Sequence, residues 1–158
     1  MILSNKNDKI FAHSLDEAQN SRLYYRHGCV ATCGGKIIAK GCNTHKNYSS
    51  DEFMDECCSC HAEINVLRQI YYQHRRNKRK LNRIFKNTTL YISRYSTDKR
   101  SCTSAPCIDC LRMIKRHNIK KIVFNLNDDY YVMRSKDYET DYVTMGYTSI
   151  RSMTNIQQ

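Results

Sequence analysis

Two short motifs stand more than forty residues apart in this chain of 158 residues, and each lies at the predicted start of a helix. The first is HAE at 61–63 and the second is PCIDC at 106–110. One histidine and two cysteines form a ligand set that zinc binds as a tetrahedron, leaving the fourth position for water. The chain therefore needs a fold that brings two helix starts to one place, with His61, Cys107 and Cys110 as candidate zinc ligands.

The glutamate of the first motif suits a catalytic role. Zinc lowers the pKa of a bound water, but attack on a ring carbon also needs a group that carries protons between water, ring nitrogen and leaving amine. Glu63 lies two residues after the histidine and is the candidate for that group. Cys107 and Cys110 share one helix face, and the first turn of a helix lowers the pKa of a thiol. Both thiols are therefore expected to ionise and to bind metal.

Helical and strand patterns alternate along the chain and predict an α/β fold in a single domain over 1–158, with its core at about 10–135. Helices are expected from Ser14 to about residue 26, from His61 to about Gln73, and over 106–117 with Pro106 in the first turn. Strands are expected at about 28–33, 36–42, 88–93, 120–126 and 130–134. The strand, helix, strand order around the cysteines implies a right-handed parallel crossover. The C-terminal segment 136–158 gives only weak signals.

The composition bounds the partners and the compartment. Lys and Arg number 26 against 15 Asp and Glu, giving a formal charge of +11, which favours an anionic partner such as a nucleotide or nucleic acid. No stretch resembles a signal peptide, and none approaches the roughly 18 apolar residues that span a bilayer. The protein is therefore expected to be soluble, intracellular and cytoplasmic, with no membrane partner. Its nine cysteines are then expected to be reduced thiols or metal ligands.

The pair of motifs, H-x-E and P-C-x-x-C, resembles the zinc-dependent cytidine and deoxycytidylate deaminase superfamily over about residues 10–127. The resemblance implies a three-layer α/β/α fold around a five-stranded mixed sheet, a homo-oligomer, zinc on His61, Cys107 and Cys110, and proton transfer by Glu63. It also implies that Asn43 hydrogen-bonds the base or sugar and that the backbone near Ala62 contacts the base. A turn residue at the end of a strand is the alternative for Asn43.

Within the superfamily the chain is most similar to dCMP deaminase-like proteins. HAEINVL, with Asn65, and PCIDCLRMIKRHNIKKIVF match their pattern. The longer connection before the cysteines and RHGCVAT at 26–32 depart from it, so the phosphate site does not carry over residue by residue. Arg26 and His27 are the candidates for that site, and a solvated helix end is the alternative.

The sequence leaves three functions open. The first is hydrolytic deamination of a cytosine nucleotide, dCMP-like, to the uracil nucleotide with release of ammonia. The second is deamination of a base within RNA or single-stranded DNA, gripped by the basic segment 68–86, which holds eight Lys or Arg and no acid. The third is a non-catalytic, zinc-bearing nucleotide-binding module, although a binding module does not need Glu63.

Four further cysteines are candidate ligands of a second, structural zinc. They are Cys57, Cys58, Cys60 and Cys102. Some viral dCMP deaminases have an extra zinc near this region, so these cysteines also leave a viral origin open. Unligated thiols are the alternative for these four residues.

Overall fold

A mixed β-sheet forms the centre of the protein, which a computed structural model describes over residues 2–54, 57–97, 102–127 and 129–155. In these ranges the sheet has five strands in the order β2-β1-β3-β4-β5. Strands β3 and β4 are parallel and the other neighbours are antiparallel. The strands are β1 Arg26–Cys33, β2 Lys36–Cys42, β3 Thr88–Tyr95, β4 Lys121–Leu126 and β5 Asp129–Arg134. The helices are α1 Asn5–Gln19, α2 Ala62–His74, α3 Lys78–Asn87, α4 Ile108–Arg116 and α5 Met145–Asn155.

Helices cover both faces of the sheet, because alternate strand residues are apolar on each side. On one face Ile10 and Phe11 of α1 pack on Val30, Tyr91 and Val123. On the other face α2, α3 and α4 share a larger core with β1, β3 and β4, which includes Ala31, Leu67, Phe85, Leu90, Ile114 and Ile122. The predicted three-layer α/β/α fold is thereby confirmed, as is the parallel pairing of β3 and β4 on either side of α4.

The first helix starts earlier and ends earlier than predicted. Ser4 is its N-cap and accepts a hydrogen bond from the Asn7 N–H at 3.4 Å, whereas Ser14, the predicted cap, is buried inside the helix. Its hydroxyl donates to the Phe11 carbonyl at 2.6 Å. The sequence pattern did not predict this start because residues 5–9 are polar. The buried apolar residues Leu3, Ile10 and Phe11 flank them. The prediction that Pro106 lies in the first turn of α4 was also wrong, because α4 begins at Ile108 with Cys107 as its N-cap.

Helix α2 packs along the edge strand β2 and covers it. The Asn65 side-chain amide donates to the Cys42 carbonyl at 2.9 Å, and that of Gln69 donates to the Lys40 carbonyl at 3.0 Å. These bonds fill carbonyls that an uncovered edge strand leaves unpaired. The first turn of α2 is therefore fixed against the end of β2.

The C-terminal segment, whose sequence carries only weak signals of structure, returns to α4. The Ile108 N–H, at the start of α4, donates to the Tyr142 carbonyl at 2.9 Å. The Cys58 thiol donates to the Gly146 carbonyl at 3.1 Å, so the start of α5 lies against the segment before α2. No helix in the described ranges is long and apolar enough to cross a membrane.

Gly28 tests the packing of α1 on the sheet. A Cβ at this position would overlap the Ser14 carbonyl oxygen and come 2.5 Å from the Ala18 nitrogen. Gly28→Ala is expected to destabilise the protein by about 1–3 kcal/mol, because backbone atoms must move apart. Chemical denaturation measures this loss. Gly34→Ala is the control, since its Cβ meets no atom within 4 Å and only the positive φ of 59° is strained. An equal loss in both variants would contradict the packing described.

Candidate metal centre and active site

The two motifs meet at one end of the sheet, where β1 begins and where β2 and β3 end. Thr44, just after β2, pairs with Cys60 through backbone hydrogen bonds of 2.9 and 3.0 Å, and this pairing places His61 beside the sheet. Ser104 ties the segment before α4 to the same end, because its hydroxyl donates to the Ile92 carbonyl at 2.7 Å. The starts of α2 and α4 are therefore both held at this end.

The three candidate ligands lie together. His61 Nδ1 is 3.1 Å from Cys110 Sγ and 3.5 Å from Cys107 Sγ, and all three atoms lie within 4.8 Å of one another. In a tetrahedral zinc site with ordinary bond lengths, sulfur and nitrogen ligands stand about 3.6 Å apart. The donor set and its spacing therefore fit zinc. In the described ranges, no other three His, Cys, Asp or Glu residues are grouped in this way.

The ligands share protons when no metal is bound. A hydrogen bond with Cys110, opposed by burial and aided by His61, lowers the pKa of Cys107 to about 4. Burial lowers the pKa of His61, but the hydrogen bond with Cys107 and the charge of Glu63 outweigh it and raise that pKa to about 9. The hydrogen bond with Cys107, with burial, raises the pKa of Cys110 well above its usual value. Without a metal, Cys107 carries the shared negative charge and Cys110 keeps its proton, so ionisation of both thiols stays a prediction for the zinc-bound site.

Glu63 is buried in the first turn of α2, with only 4% of its surface exposed. Its Oε2 atom is buried and has no hydrogen-bond partner. Burial raises the pKa of the carboxyl, the charge of His61 opposes this, and that of Cys107 adds to it. A carboxyl with a raised pKa and a free oxygen beside a metal site suits a group that accepts and returns protons near neutral pH. Ala62, its neighbour, is fully buried.

Asn43 is buried at the end of β2 and holds the segment that leads into β1. Its Oδ1 accepts from the His27 N–H at 2.9 Å, and its Nδ2 donates to the Tyr25 carbonyl at 2.7 Å. One amide hydrogen and one lone pair are left for another partner. The contacts match the turn-residue alternative, while contact with base or sugar stays a prediction.

The two candidates for the phosphate site point to opposite faces of the sheet. His27 lies on the face of α2 and α4, as does Cys29, because alternate strand residues share a face. Arg26 lies on the other face, with its guanidinium 6.0 Å from the centre of the Tyr95 ring. Burial, with the charges of Arg94 and His61, lowers the pKa of His27 to about 4, so this ring is neutral at pH 7. The sequence did not indicate Arg94, which stands opposite His27 on β3.

The segment before α2 is fastened to that helix by a partly buried ion pair. Arg68 Nε donates to Asp51 Oδ2 at 2.7 Å, and Asp51 Oδ1 accepts from the Phe53 N–H at 3.2 Å. Arg68 is therefore not a free cation of the basic segment 68–86. The other seven cations of that segment are exposed, at Arg75, Arg76, Lys78, Arg79, Lys80, Arg83 and Lys86.

The exposed cations of the basic segment, at 75–86, lie away from the metal centre. Helix α2 has 13 residues, and it carries the chain about 20 Å from the metal-site end to His74. Helix α3 then leads to Thr88, which pairs with Cys33 at the far end of the sheet. The exposed cations of α3 are thus separated from Glu63 by about the length of α2.

The four spare cysteines do not form a cluster. The Cys57 thiol contacts the Asn47 carbonyl at 3.4 Å, that of Cys58 contacts the Gly146 carbonyl at 3.1 Å, and that of Cys60 contacts the His61 carbonyl at 3.5 Å. No three of these four thiols, Cys102 included, group as metal ligands in the described part of the chain. The second zinc site stays a prediction without a ligand cluster to support it.

Sequence comparison identifies the family. Residues 4–126 match the cytidine and deoxycytidylate deaminase zinc-binding region, so the chain belongs to this family. It is a zinc-dependent hydrolytic deaminase, as the motifs at 61–63 and 106–110 predicted. No curated protein sequence matches the chain at a significant level.

Solved structures of low sequence identity share the fold. Cytidine deaminase from Burkholderia pseudomallei is 15% identical, with a TM-score of 0.55 over 89% of this chain and 100% of that one. The dCMP deaminase of the cyanophage S-TIM5, solved with dCMP and dUMP, is 18% identical, with a TM-score of 0.51 over 77% of this chain and 82% of that one. The same phage enzyme in apo form is 20% identical, with a TM-score of 0.50 and the same coverage.

Zinc binding is expected to release protons, because bound ligands are deprotonated. At pH 7 His61, with its pKa of about 9, and Cys110, with its raised pKa, each hold a proton, whereas Cys107, at about 4, holds none. We therefore expect about two protons released per zinc at pH 7, and about one once the pH passes 9. Calorimetric titration in buffers of different ionisation enthalpy measures the number.

Cys58→Ser is the control for this titration, because its thiol lies outside the cluster. Its zinc stoichiometry and proton count should equal those of the wild type. Release of no protons at pH 7 would contradict the protonation pattern described. Loss of one zinc equivalent in the control variant would instead support the second zinc site.

Proposed function

We propose that the substrate is a cytosine nucleotide, dCMP-like, which the enzyme converts to the uracil nucleotide with release of ammonia. The observation that carries this proposal is the buried, unpartnered Oε2 of Glu63 beside the grouped His61, Cys107 and Cys110. The solved complex of the phage enzyme with dCMP and dUMP supports it, although that protein shares only 18% of its sequence with this chain.

His61, Cys107 and Cys110 are the residues that would hold zinc, and zinc supplies Lewis-acid activation of water there. Glu63 removes a proton from the attacking water as its oxygen bonds to C4 of the base. The same carboxyl gives that proton to N3 and then carries the remaining proton of the new C4 hydroxyl to the amino group. The C4–N bond breaks, ammonia leaves and the C4 carbonyl forms. The burial of Glu63 keeps bulk water from competing for these protons. The backbone at Ala62 and the spare hydrogen-bonding capacity of Asn43 are proposed to orient the base and sugar.

The position of the basic segment 68–86 favours a single nucleotide over a polymer. A nucleic-acid strand with one base at Glu63 would have to extend about 20 Å along α2 before it reached the cations of α3. A nucleotide carries one phosphate and needs no such extension. Deamination within RNA or single-stranded DNA is therefore the second candidate, and the exposed cations at 75–86 are the observation in its favour.

Glu63→Gln tests the catalytic assignment. The amide keeps the size of the side chain but cannot accept and return the proton, so turnover of dCMP should fall by about 10²- to 10⁴-fold. A spectrophotometric assay of the cytosine-to-uracil conversion measures the loss, and metal analysis should find zinc still bound. The matched control is Glu139→Gln, because Glu139 is exposed and pairs with Lys115 at 2.5 Å. Turnover retained by Glu63→Gln would refute the mechanism.

A charge-neutralised variant separates the two substrate classes. Arg75, Arg76, Arg79 and Lys80 are replaced together by Gln, and activity on dCMP and on a single-stranded oligonucleotide is followed over a series of salt concentrations. For a mononucleotide enzyme, kcat/KM for dCMP should stay unchanged and oligonucleotide turnover should be absent. Oligonucleotide turnover that falls steeply with salt in the wild type, and less steeply in the variant, would favour the polymer.

A further inference from the structure

Arg94 and His27 lie on the face of the sheet that α2 and α4 cover, at the end where β1 begins and β3 ends. His27 of β1 and Arg94 of β3 are directly paired across the two strands, one position in from the terminal pair. Residues two apart share a face of a strand, so Arg94 lies on the side of Leu90 and Ile92, which pack under α2 and α4. The pair is thus on the same face as Glu63 and the zinc ligands.

A continuous set of backbone contacts connects this pair to the metal centre. The Asn43 N–H donates to the His27 carbonyl at 3.1 Å, and Thr44, the next residue, pairs with Cys60. His61 follows Cys60 directly. Arg94 and His27 are therefore separated from the metal ligand by one strand end and one bridged pair, within reach of the outer part of a small substrate.

The Arg94 guanidinium is positioned by an aromatic ring and has no counter-charge among the described residues. It lies 4.9 Å from the centre of the Tyr25 ring, a cation–π contact, and forms no ion pair with any residue in the described ranges. Asn43 fixes the backbone of Tyr25 at 2.7 Å, so the ring under the guanidinium is held in place. An arginine stacked on an aromatic ring keeps its donors free for an anion, and the guanidinium fork matches phosphate oxygens.

A second group at the same place also has no partner. His27 Nε2 is buried and makes no hydrogen bond within the described part of the protein. Unsatisfied buried polar atoms are rare because each costs free energy, and a bound ligand is one way to satisfy them. The free cation of Arg94 and the free nitrogen of His27 thus come from adjacent strands to one place.

We propose that Arg94, stacked on Tyr25 and beside His27, binds the 5′-phosphate of the substrate and makes the enzyme prefer a nucleotide to the nucleoside. The inference rests on the proposed function and adds to it the residue that recognises the phosphate. Of the two sequence-based candidates, His27 belongs to this subsite, and Arg26 lies on the opposite face of the sheet.

Arg94→Gln tests the subsite, because glutamine removes the charge and keeps a polar side chain. Loss of a charge-assisted contact should weaken binding of dUMP about 10- to 100-fold, with binding of deoxyuridine unchanged. Calorimetric binding of the two products measures this. In the assay, KM for dCMP should rise by the same factor while kcat and the turnover of deoxycytidine stay close to wild type. Arg94→Lys should recover part of the dUMP affinity.

Arg134→Ala is the matched control, an exposed strand arginine at the opposite end of the sheet, opposite Lys121. It should leave both affinities unchanged. Equal dUMP affinity in Arg94→Gln and wild type, or an equal loss for dUMP and deoxyuridine, would overturn the inference. A wild type that binds dUMP through Arg94 yet deaminates no cytosine compound would uphold the subsite and refute the proposed function. A wild type that binds oligonucleotides but not dUMP would overturn the subsite.

Discussion

The contact of the His61 imidazole with the thiols of Cys107 and Cys110 joins the start of α2 to the start of α4, and the rest of the site is arranged around it. Burying an imidazole and two thiols is costly unless they share charge or bind a metal. In the metal-free state a protonated His61 and an ionised Cys107 form a charged hydrogen-bonded pair, and zinc would replace the protons of His61 and Cys110. This requirement explains why two helices begin at the same end of the sheet.

Two of the buried polar atoms without partners lie where the proposed substrate would fit. Three side chains in the described ranges have such atoms, at His27, Glu63 and Ser93. Glu63 lies at the metal cluster, and His27 lies beside Arg94 on the same face. We propose that Glu63 meets the reacting base and that His27 meets the outer part of the substrate. Burying polar atoms without hydrogen bonds raises the free energy of the folded protein, which is typical of a site whose ligand supplies the missing partners.

The grouping of His61, Cys107 and Cys110 could be predicted because zinc chemistry restricts both residue type and spacing, while the catalytic role of Glu63 stays a proposal. The homo-oligomer that the resemblance implies stays a prediction. Other features depend on contacts between distant segments, which no local pattern shows. Arg94 became a candidate only through its cross-strand partner, and the protonated state of Cys110 arises from its coupling to Cys107. The C-terminal segment is ordered by bonds to Ile108 and Cys58, neither of which lies near it in sequence.

The most direct test of a hydrolytic deaminase at this site follows the oxygen that enters the product. The zinc-loaded protein is incubated with dCMP in water labelled with heavy oxygen, and the product is analysed by mass spectrometry. The account predicts dUMP with one labelled oxygen and one ammonia per dUMP, both abolished in Glu63→Gln. Zinc-loaded protein that forms no labelled uracil product from dCMP, or that forms it equally well without the Glu63 carboxyl, would contradict the account.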